Sequence, residues 1–183
     1  MAKGKKEMKQ KMALPLNKEL VDLDTSFLNE HLGWEQPEYI TQNMVHKFRG
    51  YQEEALRYFH YAQVNEVFKF RNINHVLFNM ATGSGKTDLM AGLILYLYHE
   101  HDYQNFLFFV NTNRVLKKTI DNLTNKKSEK YLYSPELEID GERITIERVR
   151  TFPRTQSKNT IYIKLSSVQN IASDIYTQSE NSM

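Results

Sequence analysis

The chain contains no cysteine. That absence removes disulfide frameworks and thiolate zinc sites, and it fits a reducing compartment. No apolar run approaches the ~20 residues that a membrane-spanning helix needs. The longest candidate, LMAGLILYLY from Leu89 to Tyr98, reads instead as a buried helix. Lysines open the chain, but no apolar core or cleavage-like pattern follows them, so no secretory signal is evident. A cytoplasmic location without membrane contact is the expectation. Net charge is also scant, +2 over 183 residues, too small by itself to imply a nucleic-acid partner. Finally, no aspartate is directly followed by a glutamate anywhere in the sequence.

What is present is an ordinary globular composition, 40% hydrophobic and 25% charged, on a chain long enough to bury a core. The start, MAKGKKEMKQKM, holds five lysines against one glutamate. It reads as a solvated, irregular tail before it reads as a phosphate-binding arm. Residues 1–45 are expected to form a basic, largely irregular extension, with a short helix closed by Pro37. The folded part is expected over 46–183.

Helical spacing over YQEEALRYFHYAQVNEVF from Tyr51 is carried by Ala55, Phe59 and Ala62, with Leu56 and Val67 on an adjacent row. HVLF (75–78), NFLFFV (105–110) and TIYIKL (160–165) are short apolar runs suited to buried strands. A helix is predicted from Lys86 to about His99. Another follows with Asn113 as its cap and Val115, Leu116, Thr119, Ile120 and Leu123 on one face. Asp140-Gly141 stands between two alternating runs, a strong hairpin signal. A last helix begins near Ser166 or Ser167. Strand, helix, strand, helix, hairpin, strand, helix argues for an α/β fold on a parallel sheet with a hairpin insertion.

The sequence MATGSGKT (80–87) sits between the first of these strands and its helix. Gly83 and Gly85 let the backbone turn its N–H groups toward an anion without a Cβ in the way. The following helix points its positive end at the same place. Lys86 can reach phosphate oxygens, and the Thr87 hydroxyl can meet Mg²⁺. A phosphate loop is therefore expected over Thr82, Gly83, Ser84, Gly85, Lys86 and Thr87. The general pattern wants glycine where Met80 stands. His99 and His101 lie two apart and do not share a helix face, so they read as a polar helix end and not as a metal pair.

MATGSGKT resembles motif I of superfamily 2 helicases and translocases, which often replace that first glycine. The resemblance implies a P-loop, RecA-like parallel sheet, ATP and Mg²⁺ as cofactors, and Lys86 as the catalytic cation. FRGYQEEALRYF (48–59) is similar to the family's adenine-reading element, with Gln52 at the glutamine position and Arg49 able to pack on the base. FLFFVNTNRVLKKT resembles the next motif, placing Asn111 and Thr112 near DNA phosphates. TIYIKLSSVQNI resembles the one after it, with Ser166, Ser167 and Gln169 in the same role. Those two stretches read equally well as strand ends with capped helices.

The order of these pieces, the EIDGERITI hairpin and the run SSVQNIASDIYTQSENS look most like the helicase subunit of type III restriction enzymes. That resemblance implies double-stranded DNA and a methyltransferase subunit as partners, with hydrolysis coupled to translocation and cleavage. It also implies an Asp-Glu motif, a second lobe and a nuclease part, none of which is recognisable here. The lobe is therefore expected to be incomplete and to hydrolyse little or no ATP. Two further readings stay open: a non-hydrolysing DNA- or partner-binding module with a relic loop, and a small P-loop kinase or transferase.

Overall fold

The computed structural model describes residues 34–64 and 75–169, together with Lys18. The elements in chain order are α1 (Glu38–Thr41), α2 (Gly50–Val64), α3 (Lys86–His101), β1 (Asn105–Val110), α4 (Asn113–Leu123), β2 (Glu138–Ile139), β3 (Glu142–Arg143), β4 (Thr145–Arg148) and β5 (Thr160–Ser167). They divide into two compact units, one comprising Met1–Glu35 with Gly50–Phe78 and the other Gln36–Arg49 with Asn79–Met183.

In the first unit, α2 runs where the Gly- and Pro-free spacing places it. It buries Gln52, Leu56 and Phe59 at four- and three-residue intervals, with Tyr61 beside them. The Phe59 and Phe78 rings lie 6.0 Å apart, and His60 stacks on Trp34 at 5.2 Å. The expected strand at 75–78 does not form: those residues carry no strand pairing, and Leu77 is 91% exposed. A parallel strand is held by hydrogen-bonded neighbours on its flanks. Among the described residues no strand lies beside this one, so apolar composition alone does not order it. Val67 and the short helix expected before Pro37 lie outside the described residues.

The second unit is built on a parallel three-stranded sheet in the order β1–β5–β4, with α4 touching both β1 and β5. Asn105 to Val110 stand opposite Tyr162 to Ser167, and Thr145 to Arg148 opposite Thr160 to Ile163. Ile161, Ile163 and Leu165 are buried with Phe106 and Ile146. The other face of β1 is open: Leu107 is 47% and Phe109 58% exposed. The strand expected to be buried on both sides is thus covered on one face among the described residues. The fold is α/β, a parallel sheet flanked by helices, as expected of an incomplete RecA-like lobe.

Asp140 and Gly141 adopt φ of 53° and 77° and join β2 to β3, the turn that their sequence demands. The second run of that hairpin then does something its alternation did not announce. After two residues paired with β2, it passes through buried Ile144 and becomes β4, parallel to β5. The buried amide of Asn43 fixes the departure point: it accepts from the Glu138 N–H at 2.9 Å and donates to the Glu138 carbonyl.

Helix α3 is apolar on more than one side, burying Leu89, Ala91, Gly92, Ile94, Leu95 and Tyr96, as befits a central helix. Tyr133, fully buried, donates its hydroxyl to the Ala91 carbonyl at 3.3 Å. Backbone bonds from Val45 to Leu132 and from Ser134 to Asn43 tie this segment to the residues before α2.

Candidate nucleotide loop and nucleic-acid edge

The loop before α3 has the backbone that its glycines allow. Gly83 has φ 79°, and Gly85 has φ 76° and ψ 34°, the left-handed region that costs any other L-residue about 1–2 kcal/mol. Gly85 occupies the cap position of α3, and its carbonyl accepts from the Leu89 N–H at 3.2 Å. With glycine there, no side chain caps the first turn of α3. Its N–H groups are left for an anion, at the positive end of the helix dipole.

Lys86 folds back over the loop. Its Nζ donates to the carbonyls of Met80 at 2.9 Å and Ala81 at 2.7 Å. The Ser84 hydroxyl donates to the same Ala81 carbonyl at 2.7 Å. The loop is thus closed around its own cation, and an arriving phosphate would draw Lys86 away from two carbonyl acceptors. Thr82, Gly83 and Lys86 are exposed, while Ser84, Gly85 and Thr87 are half-buried. One turn into α3, Asp88 Oδ1 lies 2.7 Å from His46 Nδ1. Sequence reasoning passed over this pair; an acid directly after Gly-Lys-Thr, where the helix dipole favours it, was the available signal.

These donors suit a polyphosphate. The loop carries hydroxyls on Thr82, Ser84 and Thr87, the Ser84 one bound to Ala81, and a single hydroxyl such as that of Thr87 would suit a Mg²⁺ ion held mainly by phosphate oxygens and water. Among the described residues no group of three or more His, Cys, Asp or Glu side chains could hold a metal. Gln52 is buried on α2 in the first unit, and Arg49, in the second, is exposed just ahead of that helix.

The expected DNA-contacting residues come together at one edge. Because Val110 stands opposite Ser167, the loop leaving β1 and the helical residues Val168 and Gln169 that follow β5 emerge side by side, about 5 Å apart. Asn111 and Gln169 are exposed there, and Ser166 is half-buried. Two of the set hold the fold instead of facing outward. Ser167 is fully buried and donates to Asn113 Oδ1 at 2.7 Å. Thr112, not Asn113 as expected, caps α4 by accepting from the Val115 N–H at 3.3 Å. Its extended φ of −129° is the cap conformation, and Asn113 is already the first helical residue.

Electrostatically the unit has a contrasting side. An open cleft of about 580 Å³ at the hairpin is lined by Glu38, Glu136, Glu138 and Asp140 with Tyr39 and His99. His99 stacks on Tyr39 at 4.1 Å and lies 2.9 Å from both Glu100 and Asp140. Burial, then the neighbouring Glu100 carboxylate, raises the Tyr39 phenol far above its usual range. Four carboxylates exclude this cleft as a phosphate site.

Comparison with known proteins decides the family. The family described as type III restriction enzyme, res subunit, matches residues 45–183. The chain is also 39% identical over 150 residues to a probable type III restriction-modification enzyme HindVIP Res subunit from Haemophilus influenzae. The chain belongs to the res subunit family of type III restriction enzymes. The alignment covers 79% of this chain but 29% of that relative, so the chain spans less than a third of its length. No solved structure matches. No described helix is long and apolar enough to cross a membrane.

Proposed function

We propose that this chain is the Mg²⁺-ATP-binding, DNA-engaging front part of a Res motor lobe. The observation that carries the reading is the loop itself. Two glycines in left-handed backbone, a helix start without a side-chain cap and a lysine held by loop carbonyls lie within one short stretch, and a polyphosphate suits them. Lys86 binds and neutralises the β- and γ-phosphates, and Thr87 meets the magnesium ion. Gln52 and Arg49 serve the adenine, by resemblance to the family. Asn111, Ser166 and Gln169 face the DNA backbone, with Thr112 and Ser167 holding the loops that present them.

In a whole Res subunit the bound nucleotide would supply the energy for movement along double-stranded DNA, beside a methyltransferase partner that selects the site. This chain has no Asp-Glu pair to position water. It is accordingly expected to bind ATP with little or no turnover, in the cytoplasm.

The test is competition against a fluorescent adenine nucleotide in Mg²⁺. ATP should displace it better than GTP, Lys86→Ala should abolish binding, and Gln52→Ala should erase the preference for adenine. Binding that ignores Lys86 contradicts the reading. So does steady-state ATP turnover that disappears in Lys86→Ala, which would show that the chain carries a water-positioning group of its own.

A further inference from the structure

The β4–β5 connection, VRTFPRTQSKN after Arg148, holds Arg150, Arg154 and Lys158 and no carboxylate. Arg148, Arg150 and Arg154 are exposed. Among the described residues none of the three forms an ion pair; the pairs there join His46 to Asp88, His99 to Glu100 and Asp140, and Arg143 to Glu136.

The register shows where the first two of these cations go. Arg148 stands opposite Ile163, and the Val149 N–H donates to the Ile163 carbonyl at 2.9 Å, so the chain keeps running along β5 beyond the last paired residue. One residue further, Arg150 comes roughly level with Leu165, about 7 Å short of Ser167, where β1 also ends. The loop therefore leaves β4 toward the edge at which Asn111 and Gln169 emerge. Half-buried Phe152 and Pro153 anchor it, and Arg154 follows on the outside. Across the sheet, the first turn of α4 carries exposed Arg114 and no acid. One exposed carboxylate, Glu147, precedes Arg148 on β4, and four more line the hairpin cleft.

We propose that Arg148, Arg150 and Arg154 form a nucleic-acid phosphate-binding surface that widens the carboxyl edge of the sheet from β1 and β5 out to β4. The inference rests on the reading above for the DNA-facing edge. Guanidinium forks grip phosphate oxygens in pairs and stay charged at every relevant pH. Three of them on an edge strand and its loop give affinity without sequence readout, because phosphate contacts position and do not specify.

Lys158 is the internal control. It lies at the opposite end of β5: its neighbour Asn159 accepts from the Thr145 N–H and donates to Glu142 Oε2 at 2.9 Å.

The experiment measures anisotropy of a labelled 20-base-pair duplex of arbitrary sequence, titrated with the full chain at several salt concentrations. Arg148→Gln, Arg150→Gln and Arg154→Gln should each weaken binding severalfold and flatten the log K against log salt slope by about 1. Lys158→Gln should leave the slope unchanged, and single-stranded competitor should give a shallower slope than duplex. A triple Arg→Gln variant with the wild-type slope overturns the surface. Equal losses from Lys158→Gln overturn it in favour of diffuse charge, and polyglutamate competing as well as duplex overturns it in favour of acidic proteins. A chain that binds ATP through Lys86 but no DNA overturns this surface and leaves the nucleotide reading standing.

Discussion

Gly92 lies so close beneath Phe48 that a methyl group on it would sit 2.4 Å from the ring Cζ. Phe48 is buried and its ring is rigid, so the neighbour cannot simply swing away. Here the middle of α3 meets the segment just before α2, and glycine is required by space, not by backbone angle. Gly92→Ala should therefore destabilise the chain. The gain in helix propensity is about 1 kcal/mol, while forced repacking costs about 1–3 kcal/mol. Urea unfolding of the two proteins decides it, and a stabilised variant would show that the close approach is absent.

Ser167→Ala removes the 2.7 Å bond to Asn113 from a fully buried position. A loss of about 1 kcal/mol is expected, with the salt dependence of DNA binding unchanged. Gln169→Ala should do the reverse, weakening DNA binding without altering the unfolding midpoint. If Ser167→Ala flattened the salt slope while stability held, its role would be contact and not support.

Gly85→Ala places a Cβ at φ 76°. The strain of about 1–2 kcal/mol falls on the cap of α3. Nucleotide affinity should fall by more than tenfold, because the first-turn N–H groups lose their aim. Thermal unfolding with and without Mg²⁺-ATP separates the two effects: the ligand-induced rise in Tm should shrink more than the starting Tm falls.

Tyr131 is buried, and among the described residues its hydroxyl has no hydrogen-bond partner. Burial pushes its phenol up to about 12 from the usual 10.0. The folded state then keeps a proton that the unfolded chain releases. The associated stability is whole below pH 10 and is lost as pH rises toward 12. Tyr131→Phe should unfold later by urea, by about 1 kcal/mol, and should lose less stability between those two pH values. A variant with an unaltered alkaline profile would contradict the assignment.

The legible parts of this protein were those set by local chemistry. Asp140-Gly141 announced its turn because few other pairs adopt two successive positive φ angles. Gly83 and Gly85 announced the left-handed bends of the loop before α3 for a similar reason, and α2, α3 and α4 followed from spacing and absent breakers. What failed depended on neighbours distant in sequence. HVLF has the composition of a buried strand, but a parallel strand exists only beside another, and Leu77 stands exposed. NFLFFV did become a strand, yet which of its faces is covered was not written in the five consecutive apolar residues after Asn105. The change of partner at Ile144, from β2 to β5, was hidden because alternation looks the same in both pairings. Thr112 and Asn113 are both good caps, and only the backbone angles chose between them. Of the edge residues, motif position pointed to Ser167 as readily as to Gln169; burial separates them.

The most direct test of the central claim is calorimetric titration of Mg²⁺-ATP into this chain and into Lys86→Ala. Saturable binding at one site, lost in Lys86→Ala with the fold intact by circular dichroism, is the expected result. It would mean that Lys86 exchanges the carbonyls of Met80 and Ala81 for phosphate oxygens. A folded chain that takes up no ATP, or takes it up equally without the Lys86 ammonium, would contradict the account.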